Sequence, residues 1–124
     1  MPTSDEIRAT VQRYVELMNQ GDADGIATLY AEDATLEDPI GGPIQRGRET
    51  LRTWYARSAG AVKLELSGPI RVAGDECAIP MLAELDLGDR KSYIDVIDVM
   101  RFNEAGKVVS MRAFWNPAEM RAEP

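Results

Sequence analysis

The stretch Lys91-Ser92-Tyr93-Ile94-Asp95-Val96-Ile97-Asp98-Val99-Met100-Arg101-Phe102 decides how the chain is read. In an extended strand, residues two apart share a face. Ile94, Val96, Asp98, Met100 and Phe102 then form one face, apolar except for a single aspartate. Tyr93, Asp95, Ile97, Val99 and Arg101 form the other, a mixed set. This alternation predicts a half-buried strand of an antiparallel sheet. It turns Asp98 inward and Asp95 outward.

Similar segments flank it. Lys63–Ser67, Ile70–Ala73, Glu76–Leu87 and Val108–Asn116 all read as strands. Gly68-Pro69, Gly74-Asp75, Gly88-Asp89 and Asn103 to Gly106 supply the turns between them. Before Gly60 the period changes. From about Ser4 to Asn19, Ile7, Val11, Tyr14, Val15 and Met18 fall on one helical stripe. Thr3 or Ser4 can cap its start and Gly21 its end. Asp22 opens a second, shorter helix with Ile26, Leu29 and Tyr30 inward. Thr35 to Glu37 is strand-like, and Pro39 with Gly41-Gly42-Pro43 makes a loop. Arg48 to Arg57 reads as a third helix, with Leu51, Trp54 and Tyr55 inside.

Helices followed by hairpin-linked strands define an α+β class. The expectation is one domain over residues 1–124. Three N-terminal helices pack on a strongly curved, mainly antiparallel sheet, and an apolar pocket lies between the layers.

Composition narrows the chemistry. With 44% apolar and 28% charged residues, the chain has the make-up of a folded globular protein. Its net charge of −7 and the lack of a basic cluster argue against nucleic acid and anionic membranes as partners. The apolar runs are too short to span a bilayer. The start, Met1-Pro2-Thr3-Ser4-Asp5-Glu6, lacks the pattern of a signal peptide, so a cytoplasmic location is expected. There is no histidine, which removes Ser-His and Cys-His nucleophiles and histidine-ligated zinc. The lone Cys77, in strand-like Glu76-Cys77-Ala78-Ile79, reads as a buried small hydrophobe. A general base must therefore come from Asp, Glu, Lys, Tyr or a terminus.

Three polar residues fall on apolar faces. An ionised Asp98 there would be costly, and binding a proton relieves the cost. A protonated carboxyl is also a hydrogen-bond donor. The competing reading is a buried ion pair or a turn cap, although Arg101 points the opposite way. Asp38 shares its parity with Leu36 and Ile40, and Pro39 biases it toward extended backbone. The competing reading is an Asp-Pro turn. Tyr14 lies in the inner stripe of the first helix, where an ordinary core tyrosine would also fit. Tyr30 and Tyr55 occupy matching places on the second and third helices, and the three hydroxyls together suggest a hydrogen-bonded cluster. One carboxylate to move a proton and two neutral donors to hold an oxyanion suit cofactor-free proton transfer. Such chemistry needs no metal, nucleotide or flavin, and no phosphate-cradling loop is present, so neither cofactor nor metal is expected.

Several motifs resemble those of bacterial Δ5-3-ketosteroid isomerases. They are Val11-Gln12-Arg13-Tyr14-Val15, Gly21-Asp22 with Asp24-Gly25-Ile26, and Asp33-Ala34-Thr35-Leu36-Glu37-Asp38-Pro39. Val96-Ile97-Asp98-Val99-Met100-Arg101-Phe102 and Gly106-Lys107-Val108-Val109-Ser110-Met111-Arg112-Ala113 continue the match in order. The resemblance implies the conical α+β fold shared with nuclear transport factor 2, and a homodimer. It implies Asp38 as the base that moves a proton from C4 to C6 of a steroid, with Tyr14 and Asp98 donating to the C3 oxygen. Tyr30 and Tyr55 would support Tyr14, and Trp115 would lie near Asp38. That family is a known instance of a carboxylic acid held neutral at pH 7. Met81, Met100, Phe102 and Met111 become candidates for the apolar pocket wall, though methionine is equally a core filler. Ser58 to Ala83 and the tail after Asn116 resemble the family less; they are expected to help line the pocket or the dimer contact.

Other enzymes of the same fold, such as polyketide cyclases or epoxide hydrolases, remain alternatives. Hydrolases of this fold use an Asp-Arg-Asp arrangement, and here parity separates Asp98 from Arg101. A non-catalytic binder of steroids or other apolar small molecules is the third reading, against which stands the full set of Tyr14, Asp38 and Asp98.

Overall fold

A computed structural model describes residues 1–124. Helix α1, Ser4–Gln20, begins in a capping box. Thr3 Oγ1 accepts from the Glu6 N–H at 3.1 Å, and Glu6 Oε1 accepts from the Thr3 N–H at 2.8 Å. The helix stops at Gly21, whose φ of 74° is left-handed and open to glycine at little cost. Its buried stripe is Ile7, Val11, Tyr14, Leu17 and Met18. Leu17 thus replaces the expected Val15, which is only partly buried.

Helix α2, Ala23–Ala27, is shorter than the sequence suggested. Thr28 Oγ1 donates to the Gly25 carbonyl at 2.6 Å where the helix ends. Tyr30 therefore does not lie on a helix. It opens strand β1, Tyr30–Glu37, where it sits opposite Val108. Pairing with a distant strand has overridden the helical period. A register shift between Tyr30 and Thr35 breaks the alternation, which explains why only the second half of this strand was legible. Strand β2, Ile44–Arg46, follows the glycine-rich loop and pairs with β1. Helix α3 is Arg48–Ser58.

The remaining strands are β3 Val62–Leu66, β4 Arg71–Ala73, β5 Glu76–Asp86, β6 Lys91–Phe102 and β7 Val108–Phe114. Ile70 lies outside β4 yet is buried. Asn116 lies outside β7 and caps a short 3-10 turn, Pro117–Glu119.

The strands form one open, curled sheet in the order β2-β1-β7-β6-β5-β3, with β4 paired to β5. All pairings are antiparallel except β1 with β7. The long β5–β6 hairpin runs in unbroken register from Glu76 opposite Arg101 to Asp86 opposite Lys91. Helix α1 packs against β3 and β4, and α3 against β1 and β2. One hydrophobic core joins the inner helix stripes to the inner sheet face. Cys77 is part of it, and burial pushes its thiol up to about 11. No helix is long and apolar enough to cross a membrane.

Candidate active site

The β6 alternation places its residues as the sequence predicted. Ile94, Val96, Asp98, Met100 and Phe102 are buried, and Asp98 is the one charged residue in the buried set, at 3% exposure. Asp95, Ile97 and Arg101 are exposed on the other face.

A cavity of about 220 Å³ opens between the helices and this face. Asp38, Ser58 and Asp98 are the three non-hydrophobic residues among its 15 lining residues. Tyr14 adds a hydroxyl, and Trp54, Trp115, Ile94 and Val96 are among the apolar walls.

Strand order sets the two aspartates. Asp98 on β6 lies opposite Ala113 on β7. Just past β1, the Ile40 N–H donates to the Ala113 carbonyl at 2.9 Å and pins the loop that carries Asp38. Asp38 and Asp98 thus flank Ala113, whose methyl leaves room between them. Their backbones stand two strand spacings apart, about 10 Å. Asp38 Oδ1 accepts from the Trp115 indole N–H at 2.6 Å. Glu37 points away and accepts from the Gly41 N–H at 2.9 Å.

Tyr14 heads a chain of three buried hydroxyls. Its Oη is 3.3 Å from that of Tyr55, which is 2.6 Å from that of Tyr30. The Tyr14 and Tyr55 rings meet edge to face at 6.0 Å, a favourable arrangement for aromatic quadrupoles. Arg48 fixes the far end by donating twice to the Tyr30 carbonyl, at 2.7 and 3.0 Å. The cluster expected from three inward tyrosines is therefore present, with Tyr30 reaching it from a strand.

The electrostatics separate the two carboxyls. Burial holds Asp98 well above the usual carboxylate range, and the nearby Asp38 pushes it further. No protein hydrogen bond opposes the shift. Burial also raises Asp38, but the Trp115 N–H works against it. As pH rises, Asp38 is thus the first to ionise, and its charge then disfavours a second in the same cavity. Burial likewise raises Tyr14 and keeps its proton in place.

Four expected wall residues lie elsewhere. Met81, Met100, Phe102 and Met111 do not line the cavity but fill the core. Met100 sits between Cys77 and Met111, beyond Asp98 from the cavity, and Phe102 lies further along the same strand. Met81 is almost fully buried opposite Val96. Parity assigned them to the inner face correctly but could not say where along each strand the cavity begins. The less similar regions supply walls instead: Ser58, Val62, Leu64 and Ala83 from the middle of the chain, and Met120 from the tail. No group of three or more His, Cys, Asp or Glu side chains comes together to hold a metal.

An open-mouthed apolar cavity with two carboxyls of unlike acidity and a phenol at the head of a hydroxyl chain suits a small-molecule site on an α+β scaffold. The SnoaL-like domain family matches residues 11–111. A steroid Delta-isomerase from Nocardioides simplex is 43% identical over 122 residues, covering 98% of both chains. The epoxide hydrolase LasB from Streptomyces lasalocidi is 26% identical over 121 residues, and the chain spans only 43% of its length. A solved structure of SalBIII, an epoxide hydrolase/cyclase-like enzyme in pyran ring formation in the polyether salinomycin, superposes with a TM-score of 0.91. It is 28% identical, over 99% of this chain and all of that one. The chain belongs to the SnoaL-like family and, within it, to the steroid Delta-isomerase family.

Proposed function

We propose that the chain is a steroid Δ-isomerase that converts 3-oxo-Δ5-steroids to their conjugated 3-oxo-Δ4 isomers. Asp38 removes the C4 proton as a carboxylate. The electron pair passes through the carbonyl to give a dienolate. Tyr14 and a protonated Asp98 donate hydrogen bonds to the C3 oxygen as its charge grows. Asp38 then returns the proton to C6, so the protein ends as it began. Donors already fixed in an apolar site need little rearrangement as that charge forms. Trp115 orients the Asp38 carboxylate, and Tyr55 with Tyr30 polarises the Tyr14 hydroxyl.

The observation that carries this reading is the buried Asp98 beside Tyr14 in the cavity that also holds Asp38. The 43% identity to a steroid Delta-isomerase supports it independently. Ultraviolet absorption tests it: a Δ5-3-ketosteroid should acquire the conjugated enone band when the protein is added. We further propose that residues 1–124 work as one domain in a cytoplasmic homodimer. The exposed Ile97 and Phe114, directly opposite each other on the outer sheet face, suit the contact.

The likeness to LasB and SalBIII favours epoxide opening as the second reading. An Asp-Arg-Asp arrangement would need a guanidinium in the cavity. Arg101 is exposed on the far face of β6, and no arginine lines the cavity. Ring opening of an epoxide without isomerisation of the ketosteroid would favour this alternative.

A further inference from the structure

One polar atom in the cavity wall has no part in the proton transfer. Ser58 ends α3, and its Oγ is buried without a hydrogen-bond partner. Apart from the Asp98 carboxyl, which the proton transfer uses, Ser58 Oγ is the one buried side-chain oxygen or nitrogen left in that state. Buried hydroxyls are nearly always paired, so an unpaired one on a residue that lines a cavity, one side-chain rotation from opening into it, asks what would pair with it.

Its place in the fold answers in part. Ala59, the next residue, bridges to Val62, and Val62 lies opposite Leu85 on β5. The Asp86 N–H donates to the Ala61 carbonyl at 3.0 Å and fastens this turn to the end of β5. Asp98 is opposite Ile79, near the other end of that strand. The tail closes over the same end. Arg121 exchanges backbone hydrogen bonds with Tyr93 at 2.8 and 2.9 Å, and its guanidinium reaches Asp95 at 3.1 Å. This seats Met120 in the wall. Ser58 is thus the one polar group in an apolar end of the cavity, remote from Asp98.

We propose that Ser58 is a specificity-determining residue whose hydroxyl hydrogen-bonds an oxygen at the end of the substrate remote from the reacting carbonyl. The inference deepens the isomerase reading and rests on it. A ketosteroid held by its C3 oxygen at Tyr14 and Asp98 extends its ring system along β6 toward this end, and its C17 substituent arrives there. A serine hydroxyl both donates and accepts, so a 17-oxo or a 17-hydroxyl group satisfies it. A hydrocarbon D-ring leaves it unpaired, and a site with a buried polar group discriminates against such a ligand.

The test is a fluorescence titration, since Trp54 and Trp115 both line the cavity. Two conjugated 3-oxo-Δ4-steroids are used, one with a 17-oxo group and one unsubstituted at C17. The wild type should prefer the 17-oxo ligand by roughly three- to tenfold, the worth of one neutral hydrogen bond. Ser58→Ala should abolish that preference by weakening the 17-oxo ligand alone. Without ligand, the Ser58→Ala variant should unfold at a urea midpoint no lower than the wild type. Equal shifts for both ligands, or no preference in the wild type, would overturn the proposal. So would a lowered midpoint, because the hydroxyl would then be serving the fold. If neither steroid binds the wild type, the isomerase reading itself fails, and this inference with it.

Discussion

The indole N–H of Trp115 donates to Asp38 Oδ1 at 2.6 Å, and this bond is the only one that counters burial at the proposed base. It stabilises the carboxylate over the acid. In Trp115→Phe the carboxyl should therefore titrate at higher pH. The acid limb of kcat/KM against pH, which reports the base in the free enzyme, should move upward. A limb that stays in place would remove Trp115 from the role of positioning and tuning Asp38.

Asp98 makes a prediction about stability as well as rate. An ordinary aspartate titrates near 3.9, whereas burial holds Asp98 well above that. Below the ordinary value, folded and unfolded chains both keep the proton. Above it, the unfolded chain releases the proton while the folded chain retains it, so stability falls as pH rises. The fall ends once the native group also ionises. Asp38 contributes with the same sign. Urea midpoints measured in steps upward from pH 4 should decline in the wild type and decline less in Asp98→Asn. Parallel slopes would mean that Asp98 is not held protonated. In catalysis, Asp98→Ala should lower kcat by about 10²–10³, the cost of one lost oxyanion donor.

The tyrosine chain is tested at its middle. Tyr55→Phe leaves the Tyr14 and Tyr30 hydroxyls without their shared partner. Unpaired buried hydroxyls cost about 1–3 kcal/mol each, so equilibrium unfolding should show a clear loss of stability. Turnover should fall less than in Tyr14→Phe, because Tyr55 reaches the substrate only through Tyr14. A Tyr55→Phe variant as impaired as Tyr14→Phe would place Tyr55 in direct contact with the oxyanion.

The outer sheet face carries the association prediction. Sedimentation at micromolar concentration should give a dimer for the wild type and a monomer for Ile97→Glu. A monomeric wild type would remove the homodimer from the account.

Much of this site was legible because β6 obeys a period of two without interruption. That regularity alone puts Asp98 inside and Asp95 outside. Tyr30 was misplaced because its neighbours continue a helical period that β7 overrides by pairing with it. The first half of β1 was missed because its register shift erases the alternation. Strand β2 had no signal beyond the glycines and prolines around it. Parity could not separate cavity from core, so Met81, Met100, Phe102 and Met111 were drawn into the wall. Met120 carries no local signal at all, since the backbone bridge between Arg121 and Tyr93 puts it there. Ser58 begins a stretch expected to help line the pocket, but its unpaired hydroxyl had no signal, because that is a property of packing.

The central claim is that Asp38 carries the proton across the steroid. The most direct measurement is the rate at which the conjugated enone band appears from a Δ5-3-ketosteroid, for the wild type and for Asp38→Asn. The account predicts rapid conversion by the wild type and a loss of several orders of magnitude in the variant, with circular dichroism and the unfolding midpoint showing its fold intact. A wild type that forms no conjugated enone, or an Asp38→Asn variant that turns over at the wild-type rate, would contradict it.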